Sequence, residues 1–207
     1  MSQLSPIPLR ALAFEHDSSV APWTVPKDEW LRARDPESTL DGIATGVVVF
    51  NADNKVLLVQ RASHDSMPNL WEVPGGAVDA EDATILHGAA RELWEEAGLV
   101  LTRIKRFIPE GGQDNGFDIR FIENMGYRFT NRARTKKFCR FSFEAEVESC
   151  DAVALDPNEH QDYVWASEDE VRAQKIGDRA IPLTGPAGLA MLLTAFRLRR
   201  EGLKVGA

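Results

Sequence analysis

The stretch EDATILHGAARELWEEAG, residues 81–98, leaves the chain little choice of local structure. Leu86, Ala89, Ala90, Leu93 and Ala97 recur at three- and four-residue steps, the period of a helix with one buried face. Thr84 or an acidic neighbour can cap its start, and Gly98 suits the left-handed residue that ends a helix. The charges on this helix raise a question. Glu92 is a neighbour of both Glu95 and Glu96, because residues three and four apart sit side by side. Clustered carboxylates raise one another's pKa unless a cation relieves them. A hard divalent cation with oxygen ligands, Mg²⁺ first and Mn²⁺ next, is the economical partner. The plain alternative is a solvated acidic face, which this spacing alone would favour.

The remaining segments define the class. IATGVVVFN reads as a buried strand and KVLLVQRA as the next, and the turn chemistry of ADN between them predicts a hairpin. LWEVPGGAV is a short strand broken by Pro74, Gly75 and Gly76. After the helix, LVLTRIKRFI, FCRFSFEAEV and DYVWAS read as strands. SEDEVRAQ is a short helix capped by Ser167, and TGPAGLAMLLTAFRLRREG is a closing amphipathic helix with Pro186 near its first turn. Strands interleaved with two long helices indicate an α/β domain with a mixed sheet. Residues 1–41 form an irregular arm with a short helix near Asp28–Arg34, which Trp23 and Trp30 pin to the domain; residues 42–207 form the domain proper with its C-terminal helix.

GGAVDAEDATILHGAARELWEEAGLV resembles the signature of the Nudix hydrolases, G-x5-E-x7-R-E-U-x-E-E-x-G-U, where U is bulky and apolar. Its second half matches throughout, at Arg91, Glu92, Leu93, Glu95, Glu96, Gly98 and Leu99. The preceding LLVQRA and LWEVPGG resemble the strand pair that leads into the motif. The first half departs from it. Counting from Gly76 places Asp82 where a glutamate is expected, with eight residues rather than seven before Arg91, and Glu81 is adjacent.

The resemblance implies a Nudix-type α/β/α sandwich with a mixed sheet between helices. It also implies metal-dependent hydrolysis of a diphosphate linkage in a nucleoside diphosphate joined to another moiety. Glu92, Glu95 and Glu96 would be metal ligands with the Gly76 carbonyl, and Arg91 would orient a glutamate. The general base would be Glu96 or Glu159, and Glu159 reads equally as a surface acid. His160 beside it reads as a loop histidine. Arg61 is either a phosphate contact or a structural ion pair, and Trp71 either lines the pocket or packs. Arg132 and Arg134 can contact phosphates while Tyr127 or Phe129 stacks on a base, against the alternative of a solvated loop. Three other readings are weighed: a catalytically inactive ligand-binding regulator on the same fold, an isoprenoid diphosphate isomerase, whose further acid and thiol groups neither cysteine supplies convincingly, and a coenzyme A diphosphatase.

The net charge of −8 argues against a nucleic-acid polymer as partner. A small phosphorylated substrate needs only a local cluster of cations and metals. No apolar run is long enough to span a membrane, and MSQLSPIPLRALAFEH lacks the layout of a secretory signal, so a cytoplasmic protein is expected. Cys139 and Cys150 have no zinc spacing and read as free thiols. A monomer and a homodimer are both compatible with the sequence.

Overall fold

The N-terminal arm is tied to the domain by backbone pairing and by aromatic packing. Two short 3-10 turns, Leu9–Leu12 and Ser18–Trp23, flank strand β1 (Glu15–His16), and helix α1 (Lys27–Arg34) follows. Trp23 stacks on Phe107 with ring centroids 4.7 Å apart and meets the edges of Phe141 and Phe143. Trp30 meets Phe141 edge-on at 5.0 Å. Both tryptophans are buried, so the arm contributes to the core, as expected of large aromatic surfaces removed from water. The computed structural model describes residues 7–37, 39–109, 126–131 and 133–205. Arg132 therefore lies outside the described residues.

The elements that follow are β2 (Gly42–Val49), β3 (Val56–Arg61), β4 (Trp71–Glu72), α2 (Ile85–Ala97), β5 (Leu101–Ile108) and β6 (Tyr127–Thr130). Then come β7 (Lys137–Val147), β8 (His160–Ala166), α3 (Glu168–Ala173), β9 (Lys175–Ile176), β10 (Arg179–Ala180) and α4 (Pro186–Val205). The larger sheet runs β1-β5-β7-β2, and β6 also pairs with β7. The β1/β5 and β2/β7 ladders are parallel and the others antiparallel, so the sheet is mixed. A second sheet, β4-β3-β8, is antiparallel, and β9 and β10 form a small antiparallel pair.

The expected hairpin between β2 and β3 does not form. β2 pairs with β7, from Gly42 opposite Phe138 to Val49 opposite Ala145. β3 turns into the second sheet, and the turn is closed by the Phe50–Val56 bridge, by the Asn51 N–H to Lys55 carbonyl bond (2.9 Å) and by the Lys55 N–H to Asn51 Oδ1 bond (2.9 Å). The reason lies in burial. Ile43, Val47 and Val49 of β2 enter one core, and Val48 and Phe50 enter the other. A strand covered on both faces suits a parallel neighbour reached by a long crossover.

Helix α2 covers one face of the larger sheet. Leu86, Ala89, Ala90, Leu93 and Ala97 share a core with β2 and the arm. On the other side, Met191, Leu192, Ala195 and Phe196 of α4 pack with Val48, Phe50 and Leu58. The result is the α/β/α sandwich. The ends of α2 are fixed by the residues that the sequence marks. The Thr84 hydroxyl accepts from the His87 N–H at 3.3 Å. Gly98 adopts φ 66° and its N–H bonds to the Trp94 carbonyl. Among the described residues no helix is long and apolar enough to cross a membrane.

Candidate active site

After β4 the chain lies along β2. The Val47 N–H bonds to the Pro74 carbonyl and the Thr45 N–H to the Gly76 carbonyl, both at 2.8 Å. This brings the Gly75–Gly76 turn against α2. Gly75 has φ 152°, and a Cβ there would lie 2.1 Å from the Thr45 carbonyl oxygen. A Cβ on Gly76 would lie 2.6 Å from Glu92 Oε2. Only glycines let the carboxylates approach the loop backbone this closely. The Gly75 N–H donates to Glu96 Oε2 at 2.6 Å.

Arg91 organises one side of the acidic cluster. Its Nε and Nη2 donate to the two oxygens of Asp82 at 3.0 and 2.9 Å. Its Nη1 donates to Glu92 Oε1 at 2.9 Å and to Glu95 Oε2 at 2.7 Å, and Nη2 also reaches the Ala77 carbonyl. Such fork-shaped, charge-assisted bonds fix geometry as well as charge. Asp82, rather than the exposed Glu81, therefore meets the motif arginine, and it also accepts from the Asp79 N–H.

The electrostatics are unusual for carboxylates. Glu92 is 9% exposed and Glu96 5%. Burial pushes the Glu92 carboxyl up to about 7. Arg91 pulls it back without overcoming burial, and the charges of Glu95 and Glu159 push it further. Burial raises Glu96 well above the ordinary range; the Gly75 N–H opposes this, and Glu92, Glu72 and Glu159 add to it. Burial opposes the charge on Arg91, but its bonds to Asp82 and the charges of Glu92, Asp82 and Glu95 outweigh that and raise its pKa.

The other side of the cluster comes from the start of β8. The Ala62 N–H holds the Glu159 carbonyl at 2.8 Å, and the His160 N–H holds the Asp156 carbonyl at 2.8 Å. Single ligand atoms of Glu96, Glu159 and His160 all lie within 4.8 Å of one another. Glu159 is exposed and His160 is 2% exposed. The loop reading of His160 is thus corrected: it is the first residue of β8 and is enclosed beside Glu96. The only sequence signal was its place next to Glu159 at the head of a strand. Buried carboxylates of raised pKa, together with an enclosed imidazole, fit a divalent cation as their common partner.

The expected substrate contacts fare differently. Arg61 spends its guanidinium on Glu72, Asp65 and Ser66, with Nε donating to the Ser66 carbonyl at 2.6 Å. Trp71 has no exposed surface and lies under the Arg179 guanidinium, 4.8 Å from its ring centre. A ring so covered packs, and pocket lining does not fit it. Arg134 is exposed in the turn between β6 and β7, where its N–H bonds to the Asn131 carbonyl. Tyr127, Phe129 and Phe138 stack on one another at 6.1 and 5.5 Å.

Comparison with known proteins adds the following. Residues 40–184 match the family described as the NUDIX domain. An m7GpppN-mRNA hydrolase of Homo sapiens is 49% identical over 63 residues, which cover 29% of this chain and 19% of that protein. The chain thus spans about a fifth of that relative's length. An RNA pyrophosphohydrolase of Rhizobium meliloti is 30% identical over 122 residues, covering 56% of this chain and 70% of that one. Among solved structures, the MutT protein of Methanosarcina mazei superposes with a TM-score of 0.55 at 21% identity, over 77% of this chain and 95% of that chain. At such identity the likeness speaks to the fold.

Proposed function

The chain belongs to the Nudix hydrolases, and on that premise we propose that it cleaves the diphosphate linkage of a nucleoside diphosphate joined to another moiety, with a divalent metal. The observation that carries this is the pair of buried carboxyls, Glu92 and Glu96, held against the Gly75–Gly76 turn with Arg91 clamping Glu92, Glu95 and Asp82. A solvated acidic face would have no reason to bury two of its acids.

Glu92, Glu95 and Glu96 are the residues that would hold the cation. The Gly76 carbonyl joins them, since its bond to Thr45 uses one of two lone pairs. A bound Mg²⁺ or Mn²⁺ supplies screening of the diphosphate and stabilises the leaving oxygen. The chain's own residues do the rest. Arg91 fixes Glu92 and Glu95 in place. The water oxygen bonds to phosphorus, the bond from that phosphorus to the bridging oxygen breaks, and the other phosphate leaves. Glu159, exposed and next to Glu96, takes the water's proton. The intact set of three motif glutamates argues for catalysis over ligand binding alone.

The negative net charge favours small substrates over RNA chains, but the names of the relatives make RNA 5′ ends a necessary comparison. The experiment is a hydrolysis panel of ADP-ribose, NADH, dinucleoside polyphosphates, coenzyme A, and capped and 5′-triphosphorylated RNA. It is run with Mg²⁺ or Mn²⁺ and again with a chelator. Release of a monophosphate from a small nucleotide, abolished by chelator, is expected. Turnover of RNA alone would overturn the small-substrate assignment, and no turnover with either metal would overturn the enzymatic one.

A further inference from the structure

His160 is 2% exposed, and neither ring nitrogen has a hydrogen-bond partner among the described residues. An imidazole carries one donor and one acceptor when neutral and two donors when charged. Leaving both unmet in the interior carries a desolvation cost that no partner offsets. A histidine retained only for packing would be better replaced by an apolar residue. Its surroundings supply the missing partner's character. One ring nitrogen lies within 4.8 Å of carboxylate oxygens on both Glu96 and Glu159. Nε2 lies 3.6 Å from Glu72 Oε1, which is too long for a hydrogen bond. Glu72 is itself held by Arg61.

We propose that His160, with Glu96 and Glu159, forms a mixed nitrogen–oxygen metal site that favours ions able to take an imidazole nitrogen, Zn²⁺ foremost and the harder Mn²⁺ after it, over Mg²⁺. The inference rests on the diphosphatase reading for its chemistry and adds the donor that reading lacks. Mg²⁺ takes oxygen ligands almost throughout, whereas imidazole suits transition ions. Glu159 binds through one oxygen and keeps the other for the water's proton. The rival account is an imidazolium simply neutralising Glu72, with no metal involved.

The test uses the untagged full chain, stripped of metal, and MnCl2 alone as probe. Electron spin-echo spectroscopy of bound Mn²⁺ is expected to show coupling to a histidine nitrogen in the wild type. That measurement does not depend on any variant folding. His160→Gln should lose the coupling and bind Mn²⁺ about tenfold or more weakly, while Mg²⁺ affinity, measured by competition, stays within about threefold. Binding of Mn²⁺ without nitrogen coupling in the wild type overturns the proposal, as does equal loss of both ions in the variant or coupling retained in it. Those outcomes leave Mg²⁺-dependent hydrolysis standing. If neither ion binds the wild type, the diphosphatase reading fails along with this one.

Discussion

Replacing Glu92 by Gln should stabilise the metal-free protein at neutral and alkaline pH, and the size of the effect follows from burial. The Glu92 carboxyl rises from its ordinary 4.5 to about 7 on folding, chiefly because it is buried and in spite of its bond to Arg91. A raised acid binds its proton more tightly when folded. Its contribution is therefore fully favourable below the unfolded pKa, is lost as pH climbs towards 7, and then levels off. At about 1.4 kcal/mol per pH unit, ionised Glu92 costs about 3 kcal/mol at pH 8. Gln keeps the shape and cannot ionise. The pull of Arg91 is already contained in the Glu92 pKa, and Arg91 retains Asp82 and Glu95. For a chain of this size the gain is worth roughly 5–10 °C in melting temperature. Urea titrations in chelator at pH 4.5 and pH 8 measure it. The variant should exceed wild type by about 2–3 kcal/mol at pH 8 and by little at pH 4.5. Adding Mg²⁺ at pH 8 should raise wild type more than the variant, since a ligand stabilises by its affinity for the native state. A variant less stable than wild type at pH 8 in chelator, or a difference unchanged between the two pH values, would refute the burial argument.

Four further outcomes follow from the same geometry. Arg91→Ala releases Asp82, Glu92 and Glu95 at once and should cost roughly 10–100-fold in Mg²⁺ affinity or activity, read by calorimetry and by steady-state rates. Glu159→Gln keeps an oxygen for a metal but cannot take a proton, so kcat should fall about 10²–10⁴-fold with an unchanged melting curve. Glu96→Gln should abolish Mg²⁺-dependent turnover, and full activity there would remove the metal-site reading. Gly98→Ala forces a side chain into φ 66° and within 2.9 Å of the Ala154 Cβ, so urea midpoints should report a loss of about 1–2 kcal/mol.

The parts of this molecule that were legible in its sequence are those specified locally. Helix α2 carries its own period, its own Thr84 cap and its own Gly98 stop, so each signal lies within a turn of what it determines. The β2–β3 pairing was misread because ADN says that the chain reverses, not which strand will lie alongside. The true partner of Gly42 is Phe138, almost the whole sheet away in sequence. The run of buried residues in β2 was itself the better clue, since alternation is expected of a strand with one wet face. Trp71 and Arg61 show the same limit. Their chemistry was plain, but Arg179 covering one and Glu72 and Asp65 holding the other are products of tertiary packing.

The acidic cluster divides in a way that no spacing rule reveals. Asp82, Glu92 and Glu95 share the Arg91 guanidinium, which gives each at least one charge-assisted bond. Glu96, more deeply buried than Glu92, has the Gly75 N–H as its one hydrogen-bond partner among the described residues, and it faces Glu72, Glu92 and Glu159. Arg61 stands on that side too, but its short bonds go to Glu72 and Asp65. The acids that no guanidinium contacts, Glu96 and its neighbour Glu159, therefore lie on the side away from Arg91. A cation entering the cluster gains most there, because the low-dielectric surroundings that penalise an unpaired charge also strengthen its attraction to an ion. Arg91 thus does more than orient its neighbours. By satisfying one half of the cluster it leaves the other half, where Glu96 meets Glu159 and His160, as the place with the strongest electrostatic demand for a metal.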